Sequence, residues 1–237
     1  MKICVLGNSH AGALKRGWDS INKQHKDLQI TFFASRADSL KGLVLKDQAL
    51  VPATPQLLKN ISFTSEGKDS VRLNEYDIFL LFGLEFSLPS LDKRLSSAVK
   101  TQACLGSFTQ SLSFRLAKFI RSATSAPIYI GHNPQRAVNE GVTHGANQLD
   151  YSEVLAYASR AVGIDNTFII RQPDHTLANG WNTKLVYSKG SVRLDLNDEI
   201  SNELHPDSDV NHMNGEFGRT YLECFLATIE ERRLMHA

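Results

Sequence analysis

Four short clusters in this sequence hold side chains of the types that acyl transfer needs. Ser9 lies in Gly7-Asn8-Ser9-His10, Gly83 follows the run Tyr76 to Phe82, and Asn133 lies in Gly131-His132-Asn133. Asp209 and His212 lie in Asp209-Val210-Asn211-His212, close to the C-terminus. A serine hydroxyl becomes an effective nucleophile when a neighbouring base takes its proton. His212 suits that task, because an unperturbed imidazole titrates near neutrality. Asp209, three residues earlier, can fix the imidazole tautomer and stabilise its cation. Backbone N–H groups at Ser9, the N–H of Gly83 and the Asn133 amide are candidate donors to a developing oxyanion. His10 and His132 sit inside the clusters and are candidates to line the cleft.

These clusters matter only if the surrounding elements bring them together. Lys2 to Leu6 is an apolar run ending at Gly7, which predicts a buried strand. Ala11 to Gln24 has helical periodicity, so Gly7-Asn8-Ser9-His10 is a strand-to-helix turn, where Ser9 could also serve as a plain helix cap. Ile30 to Ala34, Tyr76 to Phe82, Pro127 to Ile130 and Thr167 to Arg171 read as further strands. The unbroken apolar run Tyr76 to Phe82 suits a central strand buried on both faces. Ser107 to Arg121, Tyr151 to Val162 and Asn214 to Arg233 read as helices. In the last, Phe217, Tyr221, Phe225 and Ile229 form a stripe best explained by core packing. Ile61 to Leu73 and Lys184 to Leu196 look like hairpins, and the second, with Ser35 to Asn60, is a candidate to shape a pocket.

Strands alternating with helices predict an α/β chain, a three-layer α/β/α sandwich around a mostly parallel sheet, with residues 1–237 as one domain. In such sheets ligands bind outside the carboxyl ends of the strands, where three of the four clusters fall.

Bulk composition narrows the function classes. With 26 basic against 25 acidic residues, the net charge of +1 gives no electrostatic reason to expect nucleic acid or an anionic membrane as partner. The apolar run after Met1-Lys2 is too short for a signal peptide or a membrane span, so a cytoplasmic protein is expected. Cys4, Cys104 and Cys224 show no paired spacing and read as free thiols, with Cys4 in the core. His10, His132, His144, His175 and His205 have no compact metal-binding spacing, and no phosphate-binding glycine loop is present, so neither metal nor cofactor is expected. The Gly-x-Ser-x-Gly elbow of α/β-hydrolases does not fit, because position 11 is Ala and the serine lies after the first strand.

Taken in order, Gly7-Asn8-Ser9-His10, Gly83, Gly131-His132-Asn133 and Asp209-Val210-Asn211-His212 resemble the four sequence blocks of the SGNH (GDSL-like) hydrolase family. The resemblance spans nearly the whole chain. It implies a flavodoxin-like fold and carboxylic ester hydrolysis by a Ser9–His212–Asp209 triad without a cofactor. It implies an oxyanion hole of the Ser9 N–H, the Gly83 N–H and the Asn133 side chain, and a small acyl ester as substrate, such as O-acetyl on a carbohydrate. Asn8 stands where the first block commonly has an acid, and Pro134 where the third commonly does. Two alternatives share the fold: an acyltransferase acting on a glycan or lipid hydroxyl, and a non-catalytic binding domain.

Overall fold

The computed structural model describes residues 1–196 and 202–235. Its centre is a parallel sheet of five strands: β1 (Lys2–Gly7), β2 (Gln29–Ala34), β3 (Ile78–Phe82), β4 (Ile128–Gly131) and β5 (Thr167–Ile170). Their spatial order is β2-β1-β3-β4-β5, and every neighbouring pair is parallel. This is the doubly wound, flavodoxin-like order, whose switch point lies between β1 and β3. Register aligns the strand ends. Gly7 pairs with Phe82, and Phe82 with Gly131, so the three segments that follow emerge at one rim.

Helices cover both faces. On one side lie α1 (Ala11–Ile21) and α6 (Gly215–Met235); on the other, α2 (Pro55–Thr64), α3 (Ser97–Thr109), α4 (Leu112–Ala123) and α5 (Tyr151–Ala161). Because strand side chains alternate, Ile3 and Val5 pack with Leu14, Trp18 and Phe225, while Cys4 and Leu6 pack with Phe108, Leu116 and Val154. Phe217, Tyr221, Phe225 and Ile229 are all buried in the first of these cores. No helix among the described residues is long and apolar enough to cross a membrane.

The contact that matters most for the site is α1 against α6. A Cβ added at Gly218 would lie 1.8 Å from the Ala13 carbonyl oxygen, and one at Gly17 would lie 2.2 Å from the Arg219 nitrogen. The two backbones therefore touch with no side chain between them. Since α1 starts just after Ser9 and α6 just after His212, this contact sets the distance between the two chain ends.

Three expectations are corrected. Ile61 to Leu73 is not a hairpin: its first four residues end α2, which Thr54 caps by accepting from the Leu57 N–H, and only Val71–Arg72 is extended. That short strand joins an antiparallel sheet with Leu43–Lys46 and Ala49–Pro52. Lys184 to Leu196 is not a hairpin either. Lys184 pairs in parallel with Val138, Leu185–Tyr187 coil into a short turn, and Val192 bridges to Leu204. Finally, the helix expected over Ser107 to Arg121 is two helices. Ser111 stops the first and caps the second, accepting from the Phe114 N–H.

Candidate active site

At the rim, Ser9 does not cap α1, since the first helical turn has no side-chain cap. Instead Ser9 Oγ lies 3.0 Å from His212 Nε2. His212 Nδ1 lies 2.8 Å from Asp209 Oδ2, so its N–H donates to the carboxylate and leaves Nε2 free to accept from the serine hydroxyl. Asp209 is fixed in turn: its Oδ1 accepts from the backbone N–H groups of Asn211 (2.8 Å) and His212 (3.0 Å). Burial opposes the charge on Asp209, but these N–H donors and the His212 ring outweigh it and hold the carboxyl at about 2. Asp209 does not cap the last helix; Asn214 does so by accepting from the Phe217 N–H. The Asp209-to-His212 turn is left to hold the imidazole.

Gly83 lies against the same spot. A Cβ there would come within 2.7 Å of Asn8 Oδ1, 3.2 Å of Asn133 Oδ1 and 3.2 Å of His10 Cδ2. Its φ of +77° is also one that glycine adopts without strain. Three of the sequence clusters therefore converge on one small volume. The role expected for the Gly83 N–H needs correction, because it donates to the Gly131 carbonyl at 2.9 Å and extends the β3–β4 ladder. Gly83 contributes space rather than a donor. The Ser9 N–H, by contrast, has no acceptor among the described residues.

Asn133 is held by its backbone, whose N–H donates to the Phe86 carbonyl, and by its Nδ2, which donates to Ser87 Oγ at 2.9 Å. Its Oδ1 is buried without a partner. A half-turn of the amide lets the Ser87 hydroxyl donate to the oxygen and presents the NH2 on the Gly83 side. Pro134 has not displaced the residue from the rim.

The histidines divide by environment. His10 is packed against His212 with ring centroids 5.1 Å apart, and its Nδ1 has no partner. Burial first, then the charge of His212, pushes His10 down to about 3. His132 does not line the cleft. It is 2% exposed, with Nε2 on the Tyr151 hydroxyl at 2.8 Å, and burial pushes it down to about 4. Tyr151 accepts from the Gln172 N–H, and Gln172 reaches Thr176 and Thr183, so His132 belongs to a buried polar network beneath the Asn133 loop.

In the sequence His205 is one of several scattered histidines without compact spacing. In the structure its ring stacks on His212, with centroids 3.9 Å apart and planes 8° from parallel. His205, Asp209 and His212 bring potential ligand atoms within 4.8 Å of one another. Nitrogen lone pairs lie in the ring plane, and one ion cannot lie in both of two parallel planes, so the stack as it stands is a poor cation site. No spacing rule signals such a stack.

No family model matches the sequence, and no curated protein matches it. Among solved structures it is similar to a carbohydrate esterase whose active site displays divergent catalytic and non-catalytic binding functions, at 11% identity and a TM-score of 0.31. The match covers 77% of this chain, which spans 59% of that esterase. So remote a likeness assigns no chemistry, and the functional reading rests on the site's geometry.

Proposed function

We propose that this protein is a serine hydrolase of the SGNH type that cleaves a small carboxylic ester. One observation carries the reading: an unbroken hydrogen-bonded line from Ser9 Oγ through His212 to Asp209, assembled from opposite ends of the chain. A serine with no catalytic duty has no need of an imidazole at 3.0 Å that is itself oriented by a carboxylate.

In this mechanism Ser9 Oγ attacks the acyl carbonyl carbon while His212 Nε2 takes the hydroxyl proton. Asp209 stays ionised and stabilises the imidazolium. The tetrahedral oxyanion is met by the Ser9 N–H and the Asn133 amide; two donors replace the three implied by the family resemblance. His212 then gives its proton to the departing alcohol, leaving an acyl-serine. Water, deprotonated by the same nitrogen, attacks the acyl carbon and releases the acid, and Ser9 recovers its proton. No cofactor takes part. The crowding of Asn8, His10 and Asn133 around Gly83 favours a short acyl group such as acetyl, on an alcohol that extends into solvent, for example a carbohydrate hydroxyl.

The test is hydrolysis of p-nitrophenyl acetate and of O-acetylated glycans by the wild type and by Ser9→Ala, together with fluorophosphonate labelling of Ser9. Ser9-dependent turnover and labelling are expected. A folded wild type that does neither overturns the reading. Product analysis with an added acceptor alcohol distinguishes hydrolysis from acyl transfer.

A further inference from the structure

His205 is held by a frame of its own, separate from the turn that carries His212. Residues 191–193 and 203–205 pair antiparallel through the Val192–Leu204 bridge. The Arg193 N–H donates to the Glu203 carbonyl at 2.8 Å, and the His205 N–H donates to the Ser191 carbonyl at 2.9 Å. The same frame reaches the base of α6: the Asn214 N–H donates to the Tyr187 carbonyl, and its Nδ2 to the Val186 and Lys189 carbonyls. The two imidazoles are thus carried by different segments fastened to each other, and their stacking is set by the backbone on both sides.

We propose that His205 is a positioning residue for the general base, its ring laid flat on His212 so that His212 keeps one plane, with Nε2 on Ser9 and Nδ1 on Asp209. This rests on the proposed function above for its consequence in catalysis, and on geometry alone for the stack. His212 has to take a proton and return it without turning, because rotation of the ring would break both hydrogen bonds at once. A flat neighbour at 3.9 Å obstructs that rotation and keeps water from one face of the ring.

The surroundings suit a neutral partner. His205 Nδ1 lies within ion-pair reach of Asp209 Oδ2 at 3.2 Å, but the hydrogen bond that this carboxylate oxygen makes to an imidazole goes to His212 Nδ1 at 2.8 Å. Burial, then the charge of His212, lowers the His205 pKa; Arg193 and Arg36 act in the same direction and Asp209 against it. In the proposed mechanism the Ser9 proton passes to His212 Nε2, on the ring that Asp209 bonds. The uncharged face of His205 then lies against the His212 cation, a favourable contact between a cation and an aromatic ring.

The experiment compares His205→Ala, which removes the flat face, with His205→Phe, which keeps it and abolishes titration. For p-nitrophenyl acetate, kcat of His205→Ala should fall by about ten-fold or more, the scale of a misplaced catalytic group, with KM within about two-fold. His205→Phe should recover kcat to within about three-fold of wild type. A second measurement needs no turnover: the far-downfield proton resonance of the His212–Asp209 bond should be present in the wild type and His205→Phe, and broadened or lost in His205→Ala. Unchanged kcat and resonance in a folded His205→Ala overturn the proposal, as does failure of His205→Phe to restore either. If the wild type lacks Ser9-dependent turnover, the esterase reading fails while the resonance still decides whether His205 holds the ring.

Discussion

Two histidines near the same rim, His212 and His132, are built for opposite ends. The His212 side chain is 26% exposed and lies between a hydroxyl and a carboxylate, so a proton gained at Nε2 is compensated by Asp209. His132 is sealed from solvent, bonded to a tyrosine hydroxyl and a backbone carbonyl, and faces no carboxylate among its hydrogen-bond partners. Burial without a counter-charge disfavours the imidazolium, which is why His132 is pushed down to about 4. The lesson is that closeness to the site does not make a histidine a base. What sets His212 apart is a carboxylate on Nδ1, a hydroxyl on Nε2 and partial exposure of the side chain.

The comparison breaks most visibly in turnover. Ser9→Ala and His212→Gln should each lower ester hydrolysis by about 10⁴-fold or more, whereas His132→Gln should cost less than about ten-fold. Equal losses at His132 and His212 in stopped-rate assays would dissolve the distinction. Asp209→Asn removes only the counter-charge and the correct tautomer, with an expected loss of about 10³- to 10⁴-fold in kcat.

A smaller effect probes what brings His212 to Ser9. Gly218→Ala forces a methyl into the Ala13 backbone, so α1 and α6 must separate. Overpacking of this kind costs about 3 kcal/mol, or about 6–12 °C in Tm for a chain of this size, measurable by calorimetry or circular dichroism. Activity in this variant should fall even well below its melting temperature, since the helix starts carry Ser9 and His212.

The smallest effect is a pH dependence of stability. His132 titrates at about 4 in the folded protein against an ordinary 6.5. Between those values the unfolded chain binds a proton that the folded chain does not, so stability is lost as pH falls from 6.5 to about 4. His10, pushed down to about 3, adds to the loss in the same direction and extends it to lower pH. Each such proton contributes up to about 1.4 kcal/mol per pH unit. His132→Gln should flatten part of this slope in denaturant melts at pH 4 to 6.5 and leave the share due to His10. A slope identical to wild type would show that His132 is protonated in the folded state.

Much of the frame was legible in local patterns. Apolar runs ending at Gly7, Phe82 and Gly131 placed three strand ends, because a buried parallel strand must be apolar and a glycine allows the turn that follows. The candidate nucleophile, base and acid could be named because only a few residue types perform acyl transfer. The two expected hairpins failed for a physical reason. Short segments such as Ile61–Thr64 take the conformation their tertiary partners reward, and here they extend α2, whose Leu57 and Ile61 are buried in the core.

By itself, the sequence determined which side chains were available and which strand ends carried them, since both are written in residue type and short-range periodicity. Only the tertiary structure decided that Ser9 and His212 lie 3.0 Å apart, that the Gly83 N–H is spent on the sheet, that His132 is buried and that His205 lies flat on His212. Each of these depends on contacts between segments distant in the chain. They follow from the fit of α1 on α6 through Gly17 and Gly218 and from the register of the strands, which no local pattern encodes.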